Sequence, residues 1–243
     1  MKRPASSRPC FQLFCFPYAG GGGSIFRFWQ ADAGPSIQVE PVRLPGREGR
    51  IGEPPLRSVP ELVQTIADQI VPQIRGPFAF FGYSFGALLA FETARRLRGQ
   101  GLSPERLIVA ALKAPHLPLR RKPIHDLPDH EFAAEIRDFR GTPDAVLQNA
   151  ELMKLVLPAI KADFHAYENY RYQAGEPFDF PITAMGGARD TTVSSDELAA
   201  WSVHTCAAFA KHVFPGDHFF LNTERQLVTW TITRELRASL RAA

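Results

Sequence analysis

Apolar positions in this chain fall into short runs, with longer periodic stretches between them. Phe11–Phe16 (FQLFCF), 37–42, 78–81 (FAFF), 107–112 (LIVAAL), 181–185 and 210–214 each read as a strand. Residues 58–74 read as a helix, with Ser58 and Glu61 spaced for a capping box in which each side chain satisfies an amide at the helix start. Residues 85–99 form a second helical pattern rich in Ala, Leu, Glu and Arg, closed by Gly99 and Gly101. A short helix is expected over 195–201 and a last one over 223–240. Strand and helix in alternation predict an α/β fold, a mostly parallel central sheet flanked by helices, because parallel neighbours need a crossover between them.

One stretch breaks the rhythm. Residues 115–180 hold no convincing strand; they carry helical patterns over 129–140 and 145–172 joined by turns rich in proline and charge. The second pattern places Leu152, Leu155, Val156, Ile160 and Phe164 at helical spacing. A helical lid inserted into a single domain spanning residues 1–243 is the reading. A purely structural helical subdomain is its alternative.

Composition narrows the class without naming a chemistry. Across 243 residues, 45% are hydrophobic and 22% charged, which suits a globular chain and excludes disorder or a fibre. The net charge of +3, spread among scattered arginines, gives no ground for a nucleic-acid partner. No stretch approaches the ~18 apolar residues that span a bilayer, so no membrane and a cytoplasmic location are expected, and the chain is expected to be a monomer. Cys10 and Cys15 lie an odd number of positions apart in a strand and face opposite sides of it. With Cys206 they are read as small buried apolar residues, and no zinc spacing is present, so neither metal nor cofactor is expected.

The chemistry is carried by Gly82-Tyr83-Ser84-Phe85-Gly86, a G-x-S-x-G set between the FAFF strand and a helix. A strand that turns sharply into a helix strains the serine backbone and lifts its hydroxyl above the sheet, the nucleophile elbow of the α/β-hydrolase fold. A serine needs a base, and in this fold the chain order is Ser, then Asp or Glu, then His. His218, in Gly216-Asp217-His218, follows the 210–214 strand and is the base; His204 falls by a helix, and His212 lies within a strand. Asp190, in Gly186-Gly187-Ala188-Arg189-Asp190, follows the 181–185 strand and is the acid. Asp217 points away from its neighbour, Asp196 belongs to a helix start, and Asp179 lies at the wrong end of its strand. Oxyanion donors are expected at the Phe85 amide and in the loop Pro17–Ser24, at Ala19 with Gly20 as the near alternative. That glycine run is no phosphate loop, because it lacks the GK[ST] ending and Ile25 stands where a third glycine would fall.

With those residues placed, the chain resembles the type II thioesterases of nonribosomal peptide and polyketide synthases nearly end to end. The resemblance is carried by Phe16-Pro17-Tyr18-Ala19-Gly20-Gly21, Leu44-Pro45-Gly46-Arg47, the three motifs above, Ala114-Pro115-His116 and Lys161-Ala162-Asp163-Phe164. It implies hydrolysis of acyl groups from the phosphopantetheine arm of acyl or peptidyl carrier proteins, with the arm belonging to the partner and no cofactor of the enzyme's own. It also lends a use to the basic run Arg120-Arg121-Lys122, as a docking surface for an acidic carrier; a solvated loop is the plainer reading. Two departures are visible: Ala-Ala-Leu-Lys precedes Ala114 where the family often has a Ser-Gly-Arg-like run, and Thr191 replaces the frequent proline after Asp190. A general carboxylesterase or lipase, a transacylase or cyclising enzyme, and a non-catalytic carrier-binding module are the competing functions. The absence of a fused carrier speaks against the transacylase, and the complete Ser-Asp-His set speaks against the binding module.

Overall fold

The computed structural model describes residues 11–138 and 149–242. Six strands form its sheet: β1 (Phe11–Phe16), β2 (Ile37–Pro41), β3 (Phe78–Tyr83), β4 (Arg106–Ala110), β5 (Ile182–Gly187) and β6 (Phe209–Phe214). Their order is β2-β1-β3-β4-β5-β6, and every neighbouring pair is parallel. The chain therefore steps from β1 outward to β2, then returns to the other side of β1 as β3. Connections leave β1 and β3 in opposite directions at that switch point, and a crevice opens at their carboxyl ends.

Helices cover both faces. On one side α2 (Val59–Ile70) and α3 (Phe85–Arg98) pack on Phe14, Phe16, Phe80 and Val109. On the other, α1 (Trp29–Ala33) and the last helix (Arg225–Ala242) pack on Leu13, Cys15, Phe81 and Ile108. Burial on both faces explains why FQLFCF and FAFF are nearly continuous in apolar residues. Each phenylalanine so buried contributes about 2–3 kcal/mol. Gln12, the polar exception in β1, donates to Gln73 O at 3.0 Å and accepts from the Arg75 amide at 2.6 Å.

Three local expectations need correction. Ser58 is the N-cap of α2 but makes no side-chain cap hydrogen bond. Pro60 in the first turn has no N–H, so one of the donors a cap would satisfy is missing. The reciprocal box forms instead at Ser194 and Glu197, opening α6 (Ser195–Ala199). The helix expected over 58–74 ends as α2 at Ile70, and a 3-10 turn, Val71–Gln73, follows where Pro72 cannot continue the ladder. Cys15 is buried, whereas Cys206 is exposed and donates its thiol to Phe178 O at 3.2 Å. Cys10 lies outside the described residues.

Between β4 and β5 the chain builds α4 (Asp129–Asp138) and α5 (Ala150–Glu168). The parts of both expected patterns that fall on 139–148 lie outside the described residues. The two helices meet through Phe132, Ile136, Leu157 and Ile160. Leu152 and Leu155 of the expected stripe are exposed at 41% and 54%, so its amino-terminal end does not pack on the core.

Candidate active site

Ser84 occupies the junction between β3 and α3 with φ of 52° and ψ of −122°, a conformation that L residues rarely adopt. The turn is held from below by the Ser84 amide, which donates to Ala110 O at 2.7 Å. Both motif glycines are there for space. A Cβ on Gly82 would lie 2.4 Å from Gly86 O, and one on Gly86 would lie 2.2 Å from Phe16 O. The elbow is thus pressed against the end of β1.

The loops after β5 and β6 bring the other two residues to this serine. His218 Nε2 lies 3.2 Å from Ser84 Oγ, and His218 Nδ1 lies 2.9 Å from Asp190 Oδ2. Asp190 has a fully buried side chain and His218 is largely covered. Burial alone pushes the Asp190 carboxyl up. The His218 hydrogen bond and charge, with the Thr192 donors, outweigh burial and hold it below the usual carboxylate range. Asp217 caps its own turn by accepting the Phe219 amide at 2.8 Å, and Asp179 is exposed. His212 is bound to Glu235 Oε1 at 2.6 Å on the edge strand.

Two further residues complete this arrangement. Thr192 Oγ1 lies 2.7 Å from Asp190 Oδ1 and 2.8 Å from His218 Nδ1, and the Thr192 amide also donates to Asp190 Oδ1 at 2.7 Å. Its signal in the sequence is a threonine two positions after a loop aspartate, the spacing of a side-chain-to-backbone turn. Tyr83, buried in β3, donates its hydroxyl to His218 O at 2.5 Å and accepts from the Leu221 amide at 3.3 Å. It thereby ties the histidine loop to the strand that carries the serine.

Ser84 and His218 open on a cavity of about 230 Å³. Phe85 and Ala19 border it from the sheet side, and Ile136, Ile160, Phe164 and Tyr167 border it from the insertion. The Gly20 amide is committed to Asp163 Oδ2 at 2.7 Å, so it does not compete with Ala19. The Ala19 and Phe85 amides meet no acceptor among the described residues.

The basic run divides. Arg120 is 64% exposed yet pairs with the buried Glu197 at 2.9 Å. Arg121 lines the cavity wall beside it, and Lys122 is exposed. Half-buried Lys113 joins Arg120 and Arg121 on that wall and donates to Leu117 O at 2.5 Å. Burial pushes its amine below the ordinary lysine range, against the pull of Glu197.

The profile of the thioesterase domain matches residues 11–236. The chain belongs to the thioesterase family. It is 42% identical to the gramicidin S biosynthesis protein GrsT of Aneurinibacillus migulanus over 230 residues, covering 94% of this chain and 90% of GrsT. Two solved structures superpose closely. The RedJ thioesterase of the prodiginine pathway in Streptomyces coelicolor has a TM-score of 0.88 at 36% identity, covering 97% of this chain and 94% of RedJ. The type II thioesterase BorB of the borrelidin cluster has a TM-score of 0.88 at 38% identity, covering 96% and 95%. These likenesses agree with the six-stranded parallel sheet flanked by helices seen here. Among the described residues no cluster of three His, Cys, Asp or Glu side chains could hold a metal ion, and no helix is long and apolar enough to cross a membrane.

Proposed function

We propose that this protein is an editing thioesterase: it hydrolyses acyl groups from the phosphopantetheine arm of acyl or peptidyl carrier proteins in a nonribosomal peptide or polyketide synthase. The observation that carries the reading is the hydrogen-bonded chain Ser84–His218–Asp190 opening on an apolar cavity beside two unengaged amides. In the first step Ser84 Oγ attacks the thioester carbonyl while His218 Nε2 takes the hydroxyl proton. Asp190 holds the imidazole with Nε2 facing the serine and stabilises the imidazolium that forms. The oxyanion develops against the Ala19 and Phe85 amides. The C–S bond then breaks, and the pantetheine thiol leaves with the proton from His218. In the second step His218 removes a proton from water, which attacks the acyl-Ser84 ester. The acid is released and the serine recovers its proton. No metal or cofactor takes part; the pantetheine arm arrives on the partner.

The insertion acts as a lid over this cavity within a single domain. Arg121 and Lys122 face an acidic carrier at its mouth, and Arg120 is held beside them by Glu197. The enzyme works in the cytoplasm as a monomer beside the synthase it serves.

The decisive experiment follows acid release from acyl-carrier proteins, acyl-pantetheine thioesters and matched oxygen esters. Wild-type protein is expected to prefer thioesters. Ser84→Ala is expected to lower kcat by about 10⁴–10⁶-fold with the fold intact. Near-normal turnover by a folded Ser84→Ala protein overturns the assignment. A preference for oxygen esters makes the protein a general carboxylesterase.

A further inference from the structure

Arg47 and Asp163 form the most deeply buried ion pair among the described residues, and the function above does not use either. Arg47 lies in the Pro-Gly-Arg turn after β2 and Asp163 in the middle of α5, with exposures of 7% and 0%. The contact is bidentate: Nη1 to Oδ2 at 2.5 Å and Nη2 to Oδ1 at 2.9 Å. Burying two charges carries a large desolvation cost before their attraction is counted. Apolar residues would fill this space at less cost, so stability gives little reason for the pair.

What the pair touches gives a better one. Asp163 Oδ2 also accepts the Gly20 amide at 2.7 Å, and Arg47 Nη1 donates to Gly21 O at 3.3 Å. One residue further along the chain, Glu48 Oε1 accepts the Ser24 amide at 3.0 Å. The loop after β1 is therefore gripped at Gly20, Gly21 and Ser24 by side chains from outside it. Gly20 is at φ +76°, and a Cβ there would lie 2.5 Å from Ile160 Cγ1 on α5, so helix and loop are in direct contact as well. The turn closes on itself where the Gly21 amide donates to Tyr18 O at 2.8 Å. Within it the Gly20 N–H points at the carboxylate, while the Ala19 N–H, on a residue that lines the cavity with Ser84, meets no acceptor among the described residues.

We propose that Asp163, its buried charge balanced by Arg47, is a positioning residue for the oxyanion hole: its side-chain oxygen captures the Gly20 amide and so turns the Ala19 amide to the reacting carbonyl. Because Asp163 belongs to the insertion, the hole is complete only while α5 is seated on the loop. This rests on the reading of Ala19 as an oxyanion donor. A displacement of about 1 Å at such a donor costs on the order of 10²-fold in rate.

Two double variants isolate the claim. Single changes would strand a buried charge, so both remove the charges together. Arg47→Met/Asp163→Asn keeps an acceptor oxygen for the Gly20 amide. Arg47→Met/Asp163→Leu does not. With a small acyl-pantetheine substrate, the Asn variant is expected to keep kcat within about fivefold of wild type. The Leu variant is expected to lose about 10²-fold in kcat with KM within about twofold, and to bind a boronic acid that forms a tetrahedral serine adduct correspondingly more weakly. Equal kcat in the two variants overturns the proposal, whatever their melting temperatures. A second measurement needs no variant. In ¹⁵N-labelled wild-type protein the boronate adduct should shift the Ala19 amide and leave the Gly20 amide bound to its carboxylate. A Gly20 shift with Ala19 unmoved also overturns it. Failure of the boronate to bind at all, or an active Ser84→Ala protein, would instead count against the serine mechanism itself.

Discussion

Ser84, His218 and Asp190 stand on strand ends clamped between two apolar layers, and α4 and α5 stand above them on much less. Below the site, Phe14, Phe16, Phe80 and Val109 fill one layer and Leu13, Phe81, Ile108 and Ile232 the other, all fully or almost fully buried. The insertion has a small apolar cluster of its own, reaches the main core through Ala166 and Tyr167 of α5, and is further braced by polar contacts within itself and to the body of the fold. Glu168 accepts the Ile124 and His125 amides at 3.0 Å each and the His125 ring at 2.5 Å. Lys161 pairs with Asp129 at 2.8 Å, and Asp163 with Arg47. Apolar packing is indifferent to pH and salt over ordinary ranges; charged contacts are not. The proposed reacting groups thus sit on a scaffold that conditions barely touch. The insertion above them is held in part by bonds that conditions can loosen, and elements proposed to open are drawn from such parts.

The first way to sharpen this contrast is to change the relay without disturbing its scaffold. Asp190→Asn is expected to lower kcat by about 10²–10⁴-fold while the melting temperature changes little, because the amide cannot stabilise the imidazolium and favours the wrong tautomer. Asp217→Asn and Asp196→Asn should cost less than tenfold. A crippling Asp217→Asn would transfer the acid to that position. The Thr192 hydroxyl is the finer probe. Thr192→Val removes one hydrogen bond to a charged carboxylate, about 1.5–3 kcal/mol, and should lower kcat about tenfold. An unchanged kcat would make Thr192 a spectator.

These residues also mark what the sequence makes legible. Ser84, Asp190 and His218 each follow a strand whose apolar run is conspicuous, and short-range rules for elbow and chain order apply to them directly. Thr192 and Tyr83 required knowing which way a loop folds back. Arg47 and Asp163 are 116 positions apart, and an aspartate amid Lys161 and Phe164 looks like the wet side of an amphipathic helix. Nothing local says that this one is enclosed. The Ser58 box failed for the opposite reason: its local rule was satisfied at Ser58 and Glu61, but Pro60 between them changed the donors available. Arg120 read as part of a free basic run because its partner, Glu197, lies on the far side of the insertion in the chain.

The mouth of the cavity offers a smaller effect that separates docking from catalysis. Arg121→Glu/Lys122→Glu is expected to raise KM for an acyl-carrier substrate several-fold at low salt and to leave small acyl-thioesters unaffected. Exposed charges steer only over about 8–10 Å near physiological ionic strength, so the difference should fade as salt rises. Arg120 is the wrong place for this test, since a glutamate there would face buried Glu197 and disturb the cap of α6. Equal effects on carrier-bound and small substrates would mean that the two residues shape the pocket and do not dock a partner.

The smallest expected effect lies at the joint between the two regions. His116 begins the insertion, and His204 belongs to the short 3-10 turn after α6. Their rings meet with Nδ1 of His116 2.8 Å from Nε2 of His204. One nitrogen must donate and the other accept, so the contact needs at least one neutral ring. His204 is 5% exposed, among Phe91, Trp201 and Tyr172. Burial first, then His116 and Arg95, push its pKa down to about 4. In the unfolded chain the same imidazole titrates near ~6.5. Between those values the unfolded state binds the extra proton, so this contribution to stability is complete above about pH 6.5 and is lost as pH falls toward 4. Melting temperatures between pH 7 and 4.5 should therefore drop a few degrees more for wild type than for His204→Gln, which keeps a neutral hydrogen-bonding group. Carboxylates common to both proteins cancel in that difference. Parallel curves would show that the joint tolerates a protonated ring, and would remove it from the set of contacts through which acid loosens the insertion.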